Sequence, residues 1–275
     1  MQATPLFNLP SSGNWCYLGP STQTLCADLI WRPVSDLAVG DELITFEGPL
    51  TAKAEAPKRH RRRMRVATVT SWAPVIFPCF RIGFTDGRQI VTCSESQWLT
   101  DPSSHWTYTR NLSPGRLIRD LGTPWPVDDS WETGWLGGAW DGEASMGSGW
   151  SINFAQNEGA VLDLAEELCK KRGYEVRRKS DKGKTVRRLL ITGIYDSLRF
   201  LGECRPVRLL GKSRPWIETR TPARSRGTVR ARRYNVAIEK IDFLGDVNVI
   251  AIQTSTQTIL AEGLFSSLSF APVKQ

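Results

Sequence analysis

Gly134-Trp135-Leu136-Gly137-Gly138-Ala139-Trp140-Asp141-Gly142-Glu143-Ala144-Ser145 is the stretch on which the reading of this chain turns. Asp129 or Ser130 caps a helix ahead of it, with Glu132 supporting the first turn. Trp131, Trp135, Leu136, Ala139 and Trp140 carry that helix to an end near Gly142. Gly137 and Gly138 lie inside it, each at a cost of about 1 kcal/mol relative to Ala in helix propensity. Close approach of a second helix compensates for such a cost, because a glycine face lets two backbones touch. Glu143 then stands just past the glycine end. A carboxylate there meets the negative end of the helix dipole, which is unfavourable unless a cation joins it. A divalent metal meets that condition. The plainer reading of the stretch in isolation is a Gly-rich helix end with a surface glutamate.

The sequence around the stretch completes an α+β unit. Gly149 to Gln156 reads as a strand with Trp150, Ile152 and Phe154 on one face. Val161, Leu164, Ala165 and Leu168 follow at i, i+3, i+4 and i+7, an amphipathic helix that Gly173 stops. Glu175–Lys179 and Lys184–Thr192 form a strand pair around Asp181-Lys182-Gly183, and Ile194, Leu198 and Leu201 mark a third helix. The sequence on either side has a different texture. Glu42–Phe46, Arg65–Trp72, Cys79–Phe84 and Gln89–Cys93 are short apolar runs broken by Gly, Pro and Asp, with Asp86-Gly87 as a hairpin signal. Tyr234–Ile241, Val247–Ser255 and Gln257–Leu260 return to the same β texture, with Glu262-Gly263 as a turn. The expected architecture is one discontinuous all-β domain, 16–128 and 234–270, with an αββαββα unit inserted at 129–214 and a basic linker at 215–233.

Charge and composition narrow the function. The 275 residues carry a formal net charge of +8, but Lys170 to Lys240 alone holds 22 Lys+Arg against 6 Asp+Glu, a net of +16. The remainder is therefore acidic, with a net of −8. A basic segment in an acidic chain is the electrostatic footprint of a polyanion-binding surface, the plainer reading being a solvated basic face. No run of 18 apolar residues is present, which excludes a membrane-spanning helix. Met1 to Gly13 carries no basic residue before its apolar ones, so no secretory signal is expected. Six scattered cysteines without a CxxC pair, and only His60 and His105, argue against a structural zinc site and a disulfide scaffold. A reducing cytoplasm is the expected compartment.

Leu136 to Ala144 resembles the LAGLIDADG motif of homing endonucleases position by position, with Gly137, Ala139 and Trp140 as variants. The resemblance extends to about Arg214. Phe154-Ala155-Gln156 is similar to the strand end that opens the family's second helix. Leu189-Leu190-Ile191-Thr192-Gly193 and Phe200-Leu201-Gly202-Glu203-Cys204-Arg205-Pro206 are similar to its closing strand and helix. The resemblance implies Glu143 as the acid that holds Mg²⁺ or another divalent cation, with the Gly142 carbonyl as a second contact. It implies Gln156 as a polar residue near the scissile phosphates, and Arg208 or Lys212 as the cation offsetting transition-state charge. Arg177, Arg178, Lys179, Lys182, Lys184, Arg187 and Arg188, with Arg208, are the implied DNA-binding residues. In the family such hairpins form a saddle in the major groove, where Arg and Lys meet base edges and phosphates. The segment between Ser145 and Trp150 is shorter than the family's other hairpin. The runs Lys58–Arg65 and Arg220–Arg233 are candidates for added phosphate contacts.

The flanking β sequence resembles the Hint domain of inteins. Cys16-Tyr17-Leu18-Gly19-Pro20-Ser21-Thr22 is similar to an intein start, and Trp31 to Asp41 to the block that follows. Gly87 to Thr100 resembles the block that normally carries Thr-x-x-His, and Asp246 to Leu268 resembles the C-terminal blocks, Ala261-Glu262-Gly263-Leu264 most closely. The splicing residues are replaced. Cys93-Ser94-Glu95-Ser96 puts Ser96 where the histidine stands, and Ser267-Leu268 occupies the place of His-Asn. Leu268 has no nucleophile to cyclise, and Cys16 alone remains as an acyl acceptor.

Together the resemblances imply a site-specific, metal-dependent double-strand DNA endonuclease carried in a splicing-deficient Hint domain. Only one motif helix is present, so a homodimer on a long near-palindromic duplex is expected, in a bacterial or phage-infected cell. Two alternatives stand beside it: an active intein, with residues 1–15 as host flank, and a DNA- or RNA-binding module that has lost cleavage.

Overall fold

The computed structural model describes residues 15–47, 63–101, 105–147, 149–180, 185–219 and 235–268. Lys182, Lys184, most of the run Lys58–Arg65, and the run Arg220–Arg233 lie outside these residues. The chain folds as two units. The first takes its described residues from Met1–Ala27, Trp31–Pro124 and Arg232–Gln275, the second from Asp28–Ile30 and Trp125–Ala231. No helix of the described residues is long and apolar enough to cross a membrane.

Unit 1 is built from β1 (Cys16–Leu18), β2 (Gln23–Leu25), β3 (Trp31–Pro33), β4 (Glu42–Phe46), β5 (Met64–Phe84), β6 (Gln89–Cys93), β7 (Gln97–Asp101), β8 (His105–Tyr108) and β9 (Leu117–Arg119). Unit 2 follows: α1 (Trp131–Glu143), β10 (Ala144–Gly147), β11 (Ser151–Asn157), α2 (Ala160–Lys171), β12 (Val176–Ser180), β13 (Val186–Thr192), α3 (Ile194–Cys204), α4 (Val207–Leu210) and α5 (Ser213–Thr219). The chain then returns to unit 1 with β14 (Asn235–Thr254), β15 (Thr258–Ala261) and β16 (Leu264–Ser267).

Ten strands of unit 1 form one antiparallel sheet in the order β15-β16-β7-β9-β14-β1-β6-β5-β4, with β8 on β7 and a further β14–β5 pairing. Its spine is the β5–β14 ribbon, paired from Ile238↔Phe84 to Thr254↔Val69. The sequence predicts two strands in place of each, Arg65–Trp72 and Cys79–Phe84 with Pro74 and Pro78 between them, and Tyr234–Ile241 and Val247–Ser255. The structure carries β5 through both prolines. On the edge opposite β14, β5 meets β4 over 64–68 and β6 over 79–83, leaving Pro74 and Pro78 where that edge has no partner among the described residues. A proline, lacking an N–H, is tolerated on such an edge. Gly245 (φ +72) sits at a register shift of the ribbon rather than in a loop. The buried core includes Leu18, Leu43, Ile82, Phe84, Trp98, Ile252 and Leu264.

Unit 2 is a four-stranded antiparallel sheet, order β10-β11-β13-β12, with α1, α2 and α3 packed on the face that buries Ile152, Phe154, Leu189 and Ile191. Ser130 caps α1, its hydroxyl accepting the Thr133 N–H at 3.4 Å. Trp140 stacks on Phe154 of β11 (centroids 4.3 Å) and tilts against Phe200 of α3 (5.1 Å), so one indole joins α1, the sheet and α3. On α2 the buried residues are Leu162, Ala165, Leu168 and Cys169. Val161, expected in the core, is 48% exposed. Val161 and Leu162 are both apolar, and sequence periodicity fits a stripe through either of them. The residues read as linker begin inside α5, where Trp216 and Ile217 are buried and Trp216 meets Trp150 edge-on at 4.7 Å.

Candidate functional site

The pleat of the unit 2 sheet sorts the basic residues that the sequence groups together. Phe154 pairs with Leu189 and Leu189 with Arg178; Gln156 pairs with Arg187. These positions share the helix-covered face. Arg178 accordingly forms ion pairs with Asp163 and Glu166 of α2, and Arg187 forms one with Glu158 at 3.1 Å. Asn153 pairs with Leu190, Ala155 with Arg188, Arg177 with Leu190 and Lys179 with Arg188. Arg177, Lys179 and Arg188 therefore share the opposite face with Ser145, Asn153 and Asn157, none of them buried. Among the described residues the hairpin puts three cations on that face, where the sequence leads one to expect all five on one surface.

Glu143 ends α1 and leads directly into β10. It is exposed and makes no ion pair among the described residues. Gln156 lies two residues past Phe154, the partner of Ala144, at the same end of the sheet. Its side-chain oxygen accepts the N–H of Asn157 at 2.9 Å. Two of the expected cations also gather here. Arg208 and Lys212 line a cleft of about 390 Å³ with Ser145, Met146, Leu209, Pro215, Trp216 and Thr219. The Arg208 guanidinium donates to the carbonyls of Trp140, Asp141 and Ala144, so the cation demanded by the helix dipole is already present as an arginine. This removes the dipole as an argument for a metal. Asp141 accepts the backbone N–H groups of Arg208 (2.6 Å) and Leu209 (3.3 Å) through Oδ1. Sequence reasoning passed over Asp141, although it stands two residues before Glu143 in the motif. Among the described residues no three His, Cys, Asp or Glu side chains converge as a metal cluster.

The glycines of α1 divide by face. A Cβ on Gly137 would lie 2.1 Å from the carbonyl oxygen of Cys204, so this glycine serves the contact of α1 with α3 inside the unit. Gly134, Gly138 and Gly142 have no atom within 4 Å of a built Cβ and form an exposed row at i, i+4 and i+8.

In unit 1 the ends of β1, β6 and β16 converge. Cys16 is fully buried, with Sγ 3.7 Å from Ser266 Oγ, and burial pushes its thiol up to about 12. Ser96 Oγ accepts from Thr92 Oγ1 at 2.7 Å and lies 3.4 Å from Cys93 Sγ. Cys93, facing Cys79 across β5–β6, is likewise raised by burial. Ser267 donates to the Gln257 carbonyl at 3.3 Å, and Leu268 is buried in the core. The side chain that meets Cys16 from β16 is thus Ser266, one position before Ser267, the residue in the place of the histidine. A strand alternates faces at every residue, and the doublet Ser266-Ser267 gives no sign of which hydroxyl points inward.

No family model matches the sequence, and no curated protein matches it either. Solved structures similar to it are inteins. The gp41-1 intein covers 93% of this chain, with 99% of its own length matched, at 10% identity and a TM-score of 0.39. A DnaB intein from Synechocystis covers 92% with 99% of its own length, at 8% and 0.42. The MchDnaB-1 intein covers 91% with 98% of its own length, at 13% and 0.38. These TM-scores are below 0.5, so the functional reading rests on the chain's own pairing and residues.

Proposed function

We propose that unit 2 is a LAGLIDADG-type DNA endonuclease and that unit 1 is a Hint-type domain without splicing activity. One observation carries the first part. A helix with an exposed glycine row ends on the carboxylate of Glu143, without an ion-pair partner among the described residues, at the edge of a sheet whose open face presents Arg177, Lys179 and Arg188. The element order αββαββα and the strand order β10-β11-β13-β12 support the same reading.

The donor set suits Mg²⁺ in one respect: the Glu143 carboxylate and the Gly142 carbonyl are hard oxygen donors. Mg²⁺ sites commonly combine one or two carboxylates with substrate phosphates and water. When bound, the ion supplies Lewis acidity at the phosphate and acidifies a water. The chain's own contributions are distinct. Arg177, Lys179 and Arg188 bind the duplex, and Lys212, exposed in the cleft beside β10, offsets charge at the phosphate; Gln156, paired with Arg187 on the helix-covered face, is outside this set.

One chain supplies one such acid, and cutting two strands takes two. Gly134, Gly138 and Gly142 are left without a packing role inside the described chain, at about 1 kcal/mol each in propensity. A second copy of α1 against this row explains their presence and pairs two Glu143 side chains about a two-fold axis. Matching half-sites follow from that symmetry. In unit 1 the loss of a nucleophile at Leu268 and the buried, protonated Cys16 favour an inert domain over an active intein.

The test is selection from a randomised duplex library with Mg²⁺, followed by mapping of cut ends. Discrete paired breaks at a near-palindrome support the reading. Intact duplexes at every metal concentration, or random nicking, contradict it.

A further inference from the structure

Arg208 and Asp141 hold α1 and α4 together reciprocally. Asp141 Oδ1 receives the N–H groups of Arg208 and Leu209 in α4, while Arg208 Nε donates to the Asp141 carbonyl and Nη2 to those of Trp140 (3.4 Å) and Ala144 (2.8 Å). The three carbonyls bracket Gly142 and Glu143, two before the pair and one after. Nothing in α1 does this by itself: its last turn has no basic residue, and its C-cap, Ala144, is extended rather than left-handed. The carbonyls left open at a helix end need donors from elsewhere. A guanidinium offers five N–H groups in a rigid planar fork, against three on a freely rotating ammonium, so it holds several carbonyls in one fixed arrangement.

We infer that Arg208 is the positioning residue of Glu143. Its guanidinium fixes the backbone on both sides of the Gly142–Glu143 pair, so that carboxylate and carbonyl stay turned toward one divalent cation. The role rests on the endonuclease reading above. It takes Arg208 out of the DNA-contacting set, where its sequence position had put it, and leaves Lys212 as the cleft cation that faces the phosphate.

The experiment uses the full chain and a target recovered by end mapping, with variants Arg208→Ala, Arg208→Lys, Lys212→Ala and Glu143→Gln. Mn²⁺ uptake by the protein–DNA complex is followed by EPR of the free ion, alongside the Mg²⁺ dependence of cutting and the salt dependence of DNA binding. Arg208→Ala should raise the Mn²⁺ half-saturation and the Mg²⁺ requirement about 10-fold, the size typical when a group supporting a metal ligand is lost. Arg208→Lys should recover only part of this. DNA affinity and its salt slope should stay at wild-type values. Unchanged Mn²⁺ uptake by Arg208→Ala overturns the proposal. Weaker DNA binding with a salt slope smaller by about 0.9 overturns it too, by placing Arg208 on a phosphate. If Arg208→Ala does not fold, by circular dichroism, Arg208→Lys decides: wild-type Mn²⁺ uptake in that variant defeats the inference. Failure of the underlying reading looks different: the wild-type chain then yields no cut target at all, or Glu143→Gln still cuts it.

Discussion

Replacing either of two adjacent glycines by alanine should move α1 in opposite directions. In Gly137→Ala the new methyl would stand 2.1 Å from the Cys204 carbonyl oxygen and 3.3 Å from its carbon. To restore ordinary contact, the backbone at the end of α3 must retreat by about 1 Å. Overpacking costs about 1–3 kcal/mol, and a backbone neighbour that cannot rotate away puts this case near the upper end. The gain in helix propensity, about 1 kcal/mol, leaves a net loss of about 2 kcal/mol. In Gly138→Ala nothing lies within 4 Å of the methyl, so only the propensity gain of about 1 kcal/mol remains. The two variants thus differ by about 3 kcal/mol, roughly 100-fold in an opening equilibrium. Hydrogen exchange of the peptides covering Trp131–Glu143 reads that difference directly, without assuming that the two units unfold together. Protection should fall in Gly137→Ala and rise in Gly138→Ala. The same Gly138→Ala variant should assemble less well on cut target DNA, because its methyl lies on the proposed dimer face. Equal protection in the two variants would refute the packing of α1 on α3.

Three further outcomes follow from the geometry. Alanine at Arg177, Lys179 or Arg188 should each lower the salt slope of DNA binding by about 0.9, whereas Arg178→Ala and Arg187→Ala should leave it unchanged; equal losses across all five would contradict the sorting by the pleat. Asp128, Glu132 and Glu166 are held below the ordinary carboxylate range, by the Ser130 N–H, by Lys171 and by Lys170 respectively. As pH falls the unfolded chain takes up these protons first, so unit 2 should keep its stability down to about pH 4.5 and lose it below, and a melting temperature that rises on acidification would contradict this. Cys16, buried with its thiol raised to about 12, should resist iodoacetamide in the native chain near neutral pH and yield no self-cleaved product by intact mass. Rapid alkylation, or a fragment beginning at Cys16, would show a working nucleophile.

Local chemistry was the legible part of this sequence. The strands at Glu42–Phe46 and Gln89–Cys93, the Asp86-Gly87 turn and the Ser130 cap are set by residues within a few positions of one another, and the structure places them as the sequence predicts. The element order of unit 2 is legible for the same reason. The continuity of β5 and β14 was not, because a proline's tolerance depends on whether a distant strand occupies its edge. Nor was the sorting of Arg177–Lys179 and Arg187–Arg188 by face, where alternation is readable only once the register is fixed by pairing. The clamp on α1 joins residues 67 apart in the chain, and an arginine bonded to carbonyls looks in sequence like one available to a phosphate.

The measurement that reaches the central claim most directly compares wild-type chain with Glu143→Gln on one mapped duplex, scoring binding and cutting side by side. The substitution keeps the size of the side chain and removes its charge, while Arg177, Lys179 and Arg188 remain on the open face. The account predicts that both proteins bind the duplex with the same affinity and salt slope, and that only the wild type yields paired breaks with Mg²⁺. Cutting by Glu143→Gln at the wild-type rate would contradict it.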